Sequence, residues 1–358
     1  MKVLIWNGSD LSRVEYVKEI LSKNKIEVHE LKVKSYQQLF WNTLKLPILI
    51  LKSDIVLTFP PSLKAFIPVF LSKMFGKPRT FDMIYSTVES RVYEDKWKRG
   101  SLKERFWRFV ESNTCHMADM VFTHSESEAE HFSKFYNIKK ERIIPLYSFI
   151  DQSKFKPMSK DKKLLRDLNL EDKFVVCFHG SFLKMHGTQY MINAIPYVLK
   201  KYPNIMFLFI GYGTHYEQCI NLAKKFGVDK NTIFTGKVDF KQIQKYLSLA
   251  DVWLGLFSAA EKAQRVSRAG MFEMMAMGTP VITARNRDVV RSFKDMENIV
   301  FTNAEDSEDL AEKIIFLIEN TNLRKKIGKN ALEFVNKNMS LNIFEKKIIS
   351  FINSLVKK

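Results

Sequence analysis

Arg265-Val-Ser-Arg-Ala-Gly-Met-Phe-Glu273-Met-Met-Ala-Met-Gly278-Thr-Pro280-Val-Ile282 reads as a loop, a short helix and a buried strand. The helix opens between Arg268 and Gly270, Gly278 stops it, and Val281-Ile282 begins the strand. Two arginines stand just before the helix, and a carboxylate, Glu273, sits in its early turns. A helix N-terminus with added arginines attracts anions, and a neighbouring carboxylate can grip sugar hydroxyls. Together they suit a nucleotide-sugar, which is diphosphate and ribose at once. The same pattern also fits a surface helix with two solvated arginines.

Outward from this stretch, strands and helices alternate. Lys2 to Trp6, Ile26 to Leu31, Asp54 to Phe59, Thr80 to Tyr85 and Met120 to Thr123 read as strands, with helices at Val14 to Leu21, at Phe66 to Met74 and from Ser101. The alternation pauses near Ile143 and restarts with a strand from Phe174 to Phe178. Strands at Ile205 to Ile210, Thr232 to Thr235, Asp251 to Phe257 and Ile299 to Phe301 follow, then three helices to the end. Pro196, inside the helix Thr188 to Lys201, should kink it. Such alternation implies right-handed βαβ units on parallel sheets. The fold class is therefore α/β, with two doubly wound halves. Ligands in such folds sit beyond the carboxyl ends of the strands, and the space between the domains is the natural place here.

At 358 residues the chain is long enough for two domains, each with its own core. The three cysteines, Cys115, Cys177 and Cys219, show no metal or disulfide spacing, which fits a reducing, cytoplasmic compartment. Met1-Lys-Val-Leu-Ile runs straight into a strand, so no signal peptide is expected. The most apolar region, Leu46 to Phe75, is interrupted by Lys52, Asp54, Pro60, Pro61, Lys64 and Pro68, and falls short of the roughly 18 residues that span a bilayer.

The net charge of +18 asks for an anionic partner: nucleic acid, a membrane surface or a phosphorylated substrate. Its densest patch is Lys96, Lys98, Arg99, Lys103, Arg105 and Arg108. Ser101-Leu-Lys-Glu104 is a capping box that starts a helix there. Leu102, Phe106, Phe109 and Val110 share one face, which an ordinary surface helix would pack inward. Lys103 and Trp107 share another, which could rest on anionic headgroups. No pattern of a nucleic-acid module is present, so nucleic acid is not expected as a partner.

The loop His179-Gly-Ser-Phe-Leu-Lys-Met-His-Gly187 joins a strand to a helix. Its glycines would let backbone amides approach a phosphate, with Lys184 and His186 adding charge. It carries neither a Walker nor a dinucleotide fingerprint, so ATP hydrolysis and NAD chemistry fit poorly. A plain turn is the simpler alternative for this loop taken alone.

The order Gly180…Lys184…His186-Gly187, Ile210-Gly-Tyr-Gly213, Ile233-Phe-Thr-Gly-Lys-Val238, Ala250-Asp-Val-Trp-Leu254 and Phe272-Glu-Met-Met-Ala-Met-Gly-Thr-Pro-Val-Ile282 resembles the second domain of family 4 retaining glycosyltransferases. Glu297-Asn-Ile-Val-Phe…Asp309-Leu-Ala continues the likeness. Ile144-Pro-Leu-Tyr…Lys154-Phe-Lys-Pro157 is similar to that family's crossing between domains. The likeness covers nearly the whole chain and is looser before residue 100. It implies a GT-B fold, with two Rossmann-like domains facing a central cleft. Residues 1–150 would bind the acceptor, 151–338 the nucleotide-sugar, and 339–358 would form a helix crossing back to the first domain.

The chain departs from the family pattern at several positions. The family shows Glu-x7-Glu across the quoted stretch; here Arg265 replaces the first Glu, and Glu273 is the second. Ser181 and His186 stand where the family's diphosphate-binding Arg and Lys usually do. One branch of the family shares Lys262-Ala-Gln-Arg-Val266, but follows it with Pro-Asn-Lys, where this chain has Arg268-Ala-Gly270. Arg265, Arg268 and Lys184 are therefore expected to take over the phosphate charge.

The resemblance implies a retaining, metal-independent hexosyltransferase-type enzyme. It would move a sugar from a nucleotide-sugar donor to an acceptor glycan or lipid-linked saccharide; the basic patch, for its part, could set this cytoplasmic protein against the inner face of a membrane. Arg265, Lys184 and Glu273 are its expected catalytic residues. The donor would be held by Asn7, Gly8, Gly180, Ser181, His186, Gly187, Lys237, Val238, Arg268, Ala269, Gly270 and Met271 besides Glu273. Asp82, Glu89 and Arg91 are placed on the acceptor side. No metal or cofactor is called for. A non-catalytic subunit that binds a glycan or partner is the alternative, favoured by the changes at Ser181 and His186.

Overall fold

A computed structural model describes residues 1–8, 12–94, 96–146 and 149–357, the side chains at 12, 36, 62 and 63 excepted. Within the expected crossing between domains, Tyr147 and Ser148 lie outside the described residues. The chain divides into two compact units, Met1–Tyr147 with Asn342–Lys358, and Ser148–Leu341.

The first unit holds a six-stranded parallel sheet of β1 (Lys2–Asn7), β2 (Glu27–Lys32), β3 (Ile55–Phe59), β4 (Arg79–Asp82), β5 (Met120–Thr123) and β6 (Ile143–Pro145), in the order β2-β1-β3-β4-β5-β6. The second unit repeats the plan with β7 (Val175–His179), β8 (Met206–Ile210), β9 (Thr232–Gly236), β10 (Val252–Leu254), β11 (Val281–Ala284) and β12 (Val300–Thr302), in the order β12-β11-β10-β7-β8-β9. Inner strands such as Ile55-Val-Leu-Thr-Phe59 are buried along their whole length, as helices on both sheet faces require. In the second unit, Trp253, Met274 and Met275 pack one face of the sheet, and Phe178, Phe207 and Phe209 belong to the other core.

The last helix, Leu341–Val356, buries Phe344, Ile348, Ile352 and Leu355 along one stripe. From Asn342 onward it belongs to the first unit. There the Phe351 ring lies 5.9 Å from Phe122, and Glu345 accepts hydrogen bonds from Lys23 at 2.8 Å and Asn24 at 3.0 Å.

Three features differ from the sequence reading. Ile143–Pro145, where the alternation pauses, is a sixth strand paired with β5. Tyr36–Leu51 is a helix that the sequence pattern passes over. The helix Leu102–Met117 does start at its Ser101 cap, but it is turned over: Glu104, Glu111, Thr114 and Cys115 are buried, while Leu102, Phe106 and Phe109 are exposed.

The inward acids explain that inversion. Glu111 accepts hydrogen bonds from Ser86 Oγ at 2.6 Å, from Thr87 N at 2.9 Å and from the Tyr136 hydroxyl at 2.5 Å. It thereby caps the helix Thr87–Tyr93. Glu104 accepts from Gly100 N at 3.1 Å and pairs with Arg108. A buried carboxylate needs several donors, and these groups supply them.

The residues expected on the acceptor side are not gathered into one exposed site. Asp82 is buried at the end of β4, where Arg13 Nη1 donates to both its oxygens at 3.2 Å and Arg13 Nη2 donates to the Leu146 carbonyl at 2.8 Å. Burial raises the Asp82 carboxyl, and Arg13 draws it back down. The expected acceptor contact at Asp82 gives way to this structural pair. Glu89 closes the Ser86 cap through its N–H at 3.0 Å and faces His131 Nε2 at 2.8 Å. Arg91 is exposed. Removing one partner of a buried pair strands the other, so Asp82→Ala should cost about 3–5 kcal/mol of stability. A chemical melt that leaves stability unchanged would show Arg13 to be satisfied without it.

Candidate functional site

In the second unit, β10, β7, β8 and β9 are neighbours, so the loops after their carboxyl ends lie together. These loops carry Gly255 onward, Gly180 to Gly187, Gly211 to Gly213, and Lys237-Val238. The helix Ala269–Ala276 begins beside them, and no side chain caps its N-terminus. Its first turn therefore carries the positive end of the helix without a capping side chain.

Arg268, the residue before that helix, is the hub. Its Nη2 donates to the His179 carbonyl at 3.0 Å. Its guanidinium lies over the rings of Phe178 and Trp253, at 5.2 and 5.8 Å. A Cβ at Gly180 would fall 1.7 Å from Nη2, and Gly180 has φ +144°, so only glycine fits there. The glycine expected to admit a phosphate thus admits the guanidinium of Arg268. Gly211 makes the same kind of room, since a Cβ there would stand 2.0 Å from the Gly180 carbonyl oxygen.

Glu273, one turn into the helix, places Oε2 3.7 Å from His179 Nδ1. Burial lifts its carboxyl to about 7, against the pull of Arg268. Burial and Arg268 push His179 down to about 4, so its ring is neutral at physiological pH. Burial also lowers Arg268 itself, to about 10, with Glu273 opposing, and it stays cationic. Arg268 Nη1 is buried without a hydrogen-bond partner among the described residues. The site therefore holds one fixed cation, one carboxyl poised near neutrality and one neutral imidazole.

The other expected donor residues fall into two groups. Ala269, Gly270 and Met271 form the first turn beside Arg268. Ser181 and Lys184 are exposed on the Gly180 loop, Gly187 ends its short 3-10 turn, and Lys237 sets Nζ 6.0 Å from the Tyr212 ring. Val238 packs against the core. His186 differs from expectation: it is buried against the Ser181 carbonyl, and burial with Arg268 nearby holds it well below its ordinary value. It braces the loop as a neutral ring and adds no charge. Arg265 is buried in a 3-10 turn with Nη1 3.9 Å from Glu261. Asn7 and Gly8 belong to the first unit, where Asn7 donates to Glu30 at 2.9 Å and Gly8 lies against Pro60 and Pro61. His179 is the member that sequence reasoning missed; its place at the last position of a central strand, just before Gly180, was the available signal.

Residues 160–334, just under half the chain, match the family model "Glycosyl transferases group 1". An uncharacterized glycosyltransferase of Methanocaldococcus jannaschii is 27% identical over 208 residues, covering 57% of this chain and 51% of the relative. A D-inositol 3-phosphate glycosyltransferase of Nocardioides is 22% identical over 260 residues, covering 68% and 56%. The chain thus spans about half the length of the curated relatives it matches. In structure it is similar to HepE of Anabaena, solved in complex with UDP-glucose, with a TM-score of 0.79 at 17% identity over 99% of this chain and 100% of that one.

The raised Glu273 carboxyl has a measurable consequence. The folded chain keeps this proton up to about pH 7, whereas an ordinary glutamate loses it near 4.5. The folded state then binds more protons across that window, so stability falls as pH rises through it. Glu273→Gln should remove the loss and stabilise the unliganded protein at pH 8 by up to about 3 kcal/mol, with little difference near pH 4. Denaturant melts at both pH values check this; parallel curves for the two proteins would refute the shift. By these matches residues 160–334 are similar to group 1 glycosyl transferases, in a chain with the GT-B fold.

Proposed function

We propose that the chain transfers a sugar, with retention and without a metal, from a nucleotide-sugar to an acceptor glycan or lipid-linked saccharide. One observation carries the reading: an uncapped helix N-terminus, the Arg268 guanidinium and the Glu273 carboxyl converge at the carboxyl ends of β7 and β10. The leaving group is a nucleoside diphosphate, whose growing charge meets fixed donors at that helix end. Arg268 is the cation nearest it, with Arg265 and Lys184 as the expected auxiliaries. Ionised Glu273 accepts hydrogen bonds from the donor ribose. HepE's complex with UDP-glucose makes UDP the first nucleotide to try.

A second reading, a binding subunit without turnover, draws support from His186, which is neutral where the family carries a lysine. Release of free nucleoside diphosphate in the presence of acceptor separates the two. A thermal-shift screen of UDP-, GDP- and ADP-sugars selects the donor, because a ligand of the folded state raises its stability.

Two variants test the roles. Arg265→Ala should cut turnover roughly 10²-fold if this arginine is a preorganised donor to the diphosphate; unchanged turnover removes it from the site. Glu273→Gln should weaken UDP binding by roughly ten- to a hundredfold. It should also abolish the gain in affinity that wild type shows as Glu273 ionises around pH 7. Calorimetric titration at pH 6 and pH 8 reads both effects, and equal affinities for variant and wild type would mean that the ribose is bound elsewhere.

A further inference from the structure

On one side of the first sheet, the helix Ser62–Met74 packs between Tyr36–Leu51 and Leu102–Met117. Each has an inward face: Leu46 and Ile50, Ala65 and Val69, Thr114 and Cys115 are buried. The outward faces are not polar. Along the first helix Phe40, Trp41, Leu44, Ile48 and Leu51 are all exposed, Trp41 by 61%. On the third, Leu102, Phe106 and Phe109 form an exposed row, Phe109 by 66%. Phe70 and Met74 stand exposed on the helix between them. Single exposed apolar residues are ordinary, but rows of them on three adjoining helices mark a contact surface.

Charge decides what it contacts. Across the three helices the only carboxylates are Glu104 and Glu111, and both are buried and held by donors from the same unit. Lys45, Lys73 and Arg105 are exposed among the apolar rows. A second copy of the chain would bring like charges together at such a face. Nucleic acid gains nothing from rows of leucine and isoleucine. An anionic bilayer surface matches both features, taking the apolar side chains below its headgroups and the cations among them. No helix among the described residues is long and apolar enough to cross a membrane, so the contact is one of helices lying on the surface.

We infer that this three-helix face docks the first unit on an anionic lipid bilayer. The contact differs from the one expected on the Lys103–Trp107 face: Trp107 is half-buried beside Phe106, and Lys103 lies over the Trp97 ring at 5.2 Å. The inference stands apart from the transfer reading; where both hold, the acceptor is one carried on a lipid.

Flotation with vesicles of phosphatidylcholine alone, or mixed with phosphatidylglycerol, tests it. Wild type should float with the mixed vesicles only. Trp41→Ser with Phe106→Ser should weaken that binding by roughly tenfold or more. Lys45→Glu with Arg105→Glu should weaken it by a similar factor, and high salt should mimic the reversal. All four positions are exposed, so melting temperatures and UDP binding should stay as in wild type, which reads the donor site separately. The inference is overturned if wild type floats with neither vesicle, or if the Trp41/Phe106 variant floats as well as wild type. If wild type instead sediments as a dimer that the same substitutions dissolve, the face joins two copies.

Discussion

The burial of the Arg268 guanidinium is the constraint on which the second unit's site depends. Its charge sits over Phe178 and Trp253, in the space that Gly180 leaves open. Burial, reinforced by this cation, keeps His179 and His186 neutral, and the same cation works against the burial that raises Glu273. The surrounding loops are shaped to hold it: Gly180 and Gly211 stack backbone on backbone, and His186 ties the loop to Ser181. A site of this kind stores unfavourable free energy in the unliganded protein, because Glu273 is kept near the point of ionising without a full partner. Binding sites are commonly less stable than they could be for this reason.

The first unit uses buried charge in the opposite sense. Asp82 with Arg13, and Glu111 with Ser86, Thr87 and Tyr136, are closed networks with their donors in place. They lock the ends of β4 and the following helices. The consequence is an inverted helix at Leu102–Met117, whose acids are buried and whose leucine and phenylalanines face outward. Polar interior and apolar exterior arise together, since the groups that satisfy Glu111 occupy the face that an ordinary amphipathic helix would fill with hydrocarbon.

The two parallel sheets, their restart after residue 170, and the helix that carries Glu273 were legible in the amino-acid sequence, because strand burial, helix stops and glycine punctuation are local properties. The helix Tyr36–Leu51 was not: Pro47 interrupts it and apolar residues surround it, so it lacks the one-sided pattern that marks a surface helix. The short strand Ile143–Pro145 also escaped, since it owes its existence to pairing with β5 rather than to its own three residues. Neither the resemblance to family 4 glycosyltransferases nor the spacing of Arg265 and Glu273 revealed which arginine holds the site. Only the tertiary structure decided that Arg268 meets His179 and Gly180, that His186 is neutral, that Asp82 belongs to Arg13, and which side of the Leu102 helix is outside. Each of these is a contact between residues dozens of positions apart, whose burial sets their charge, and no local pattern carries that information.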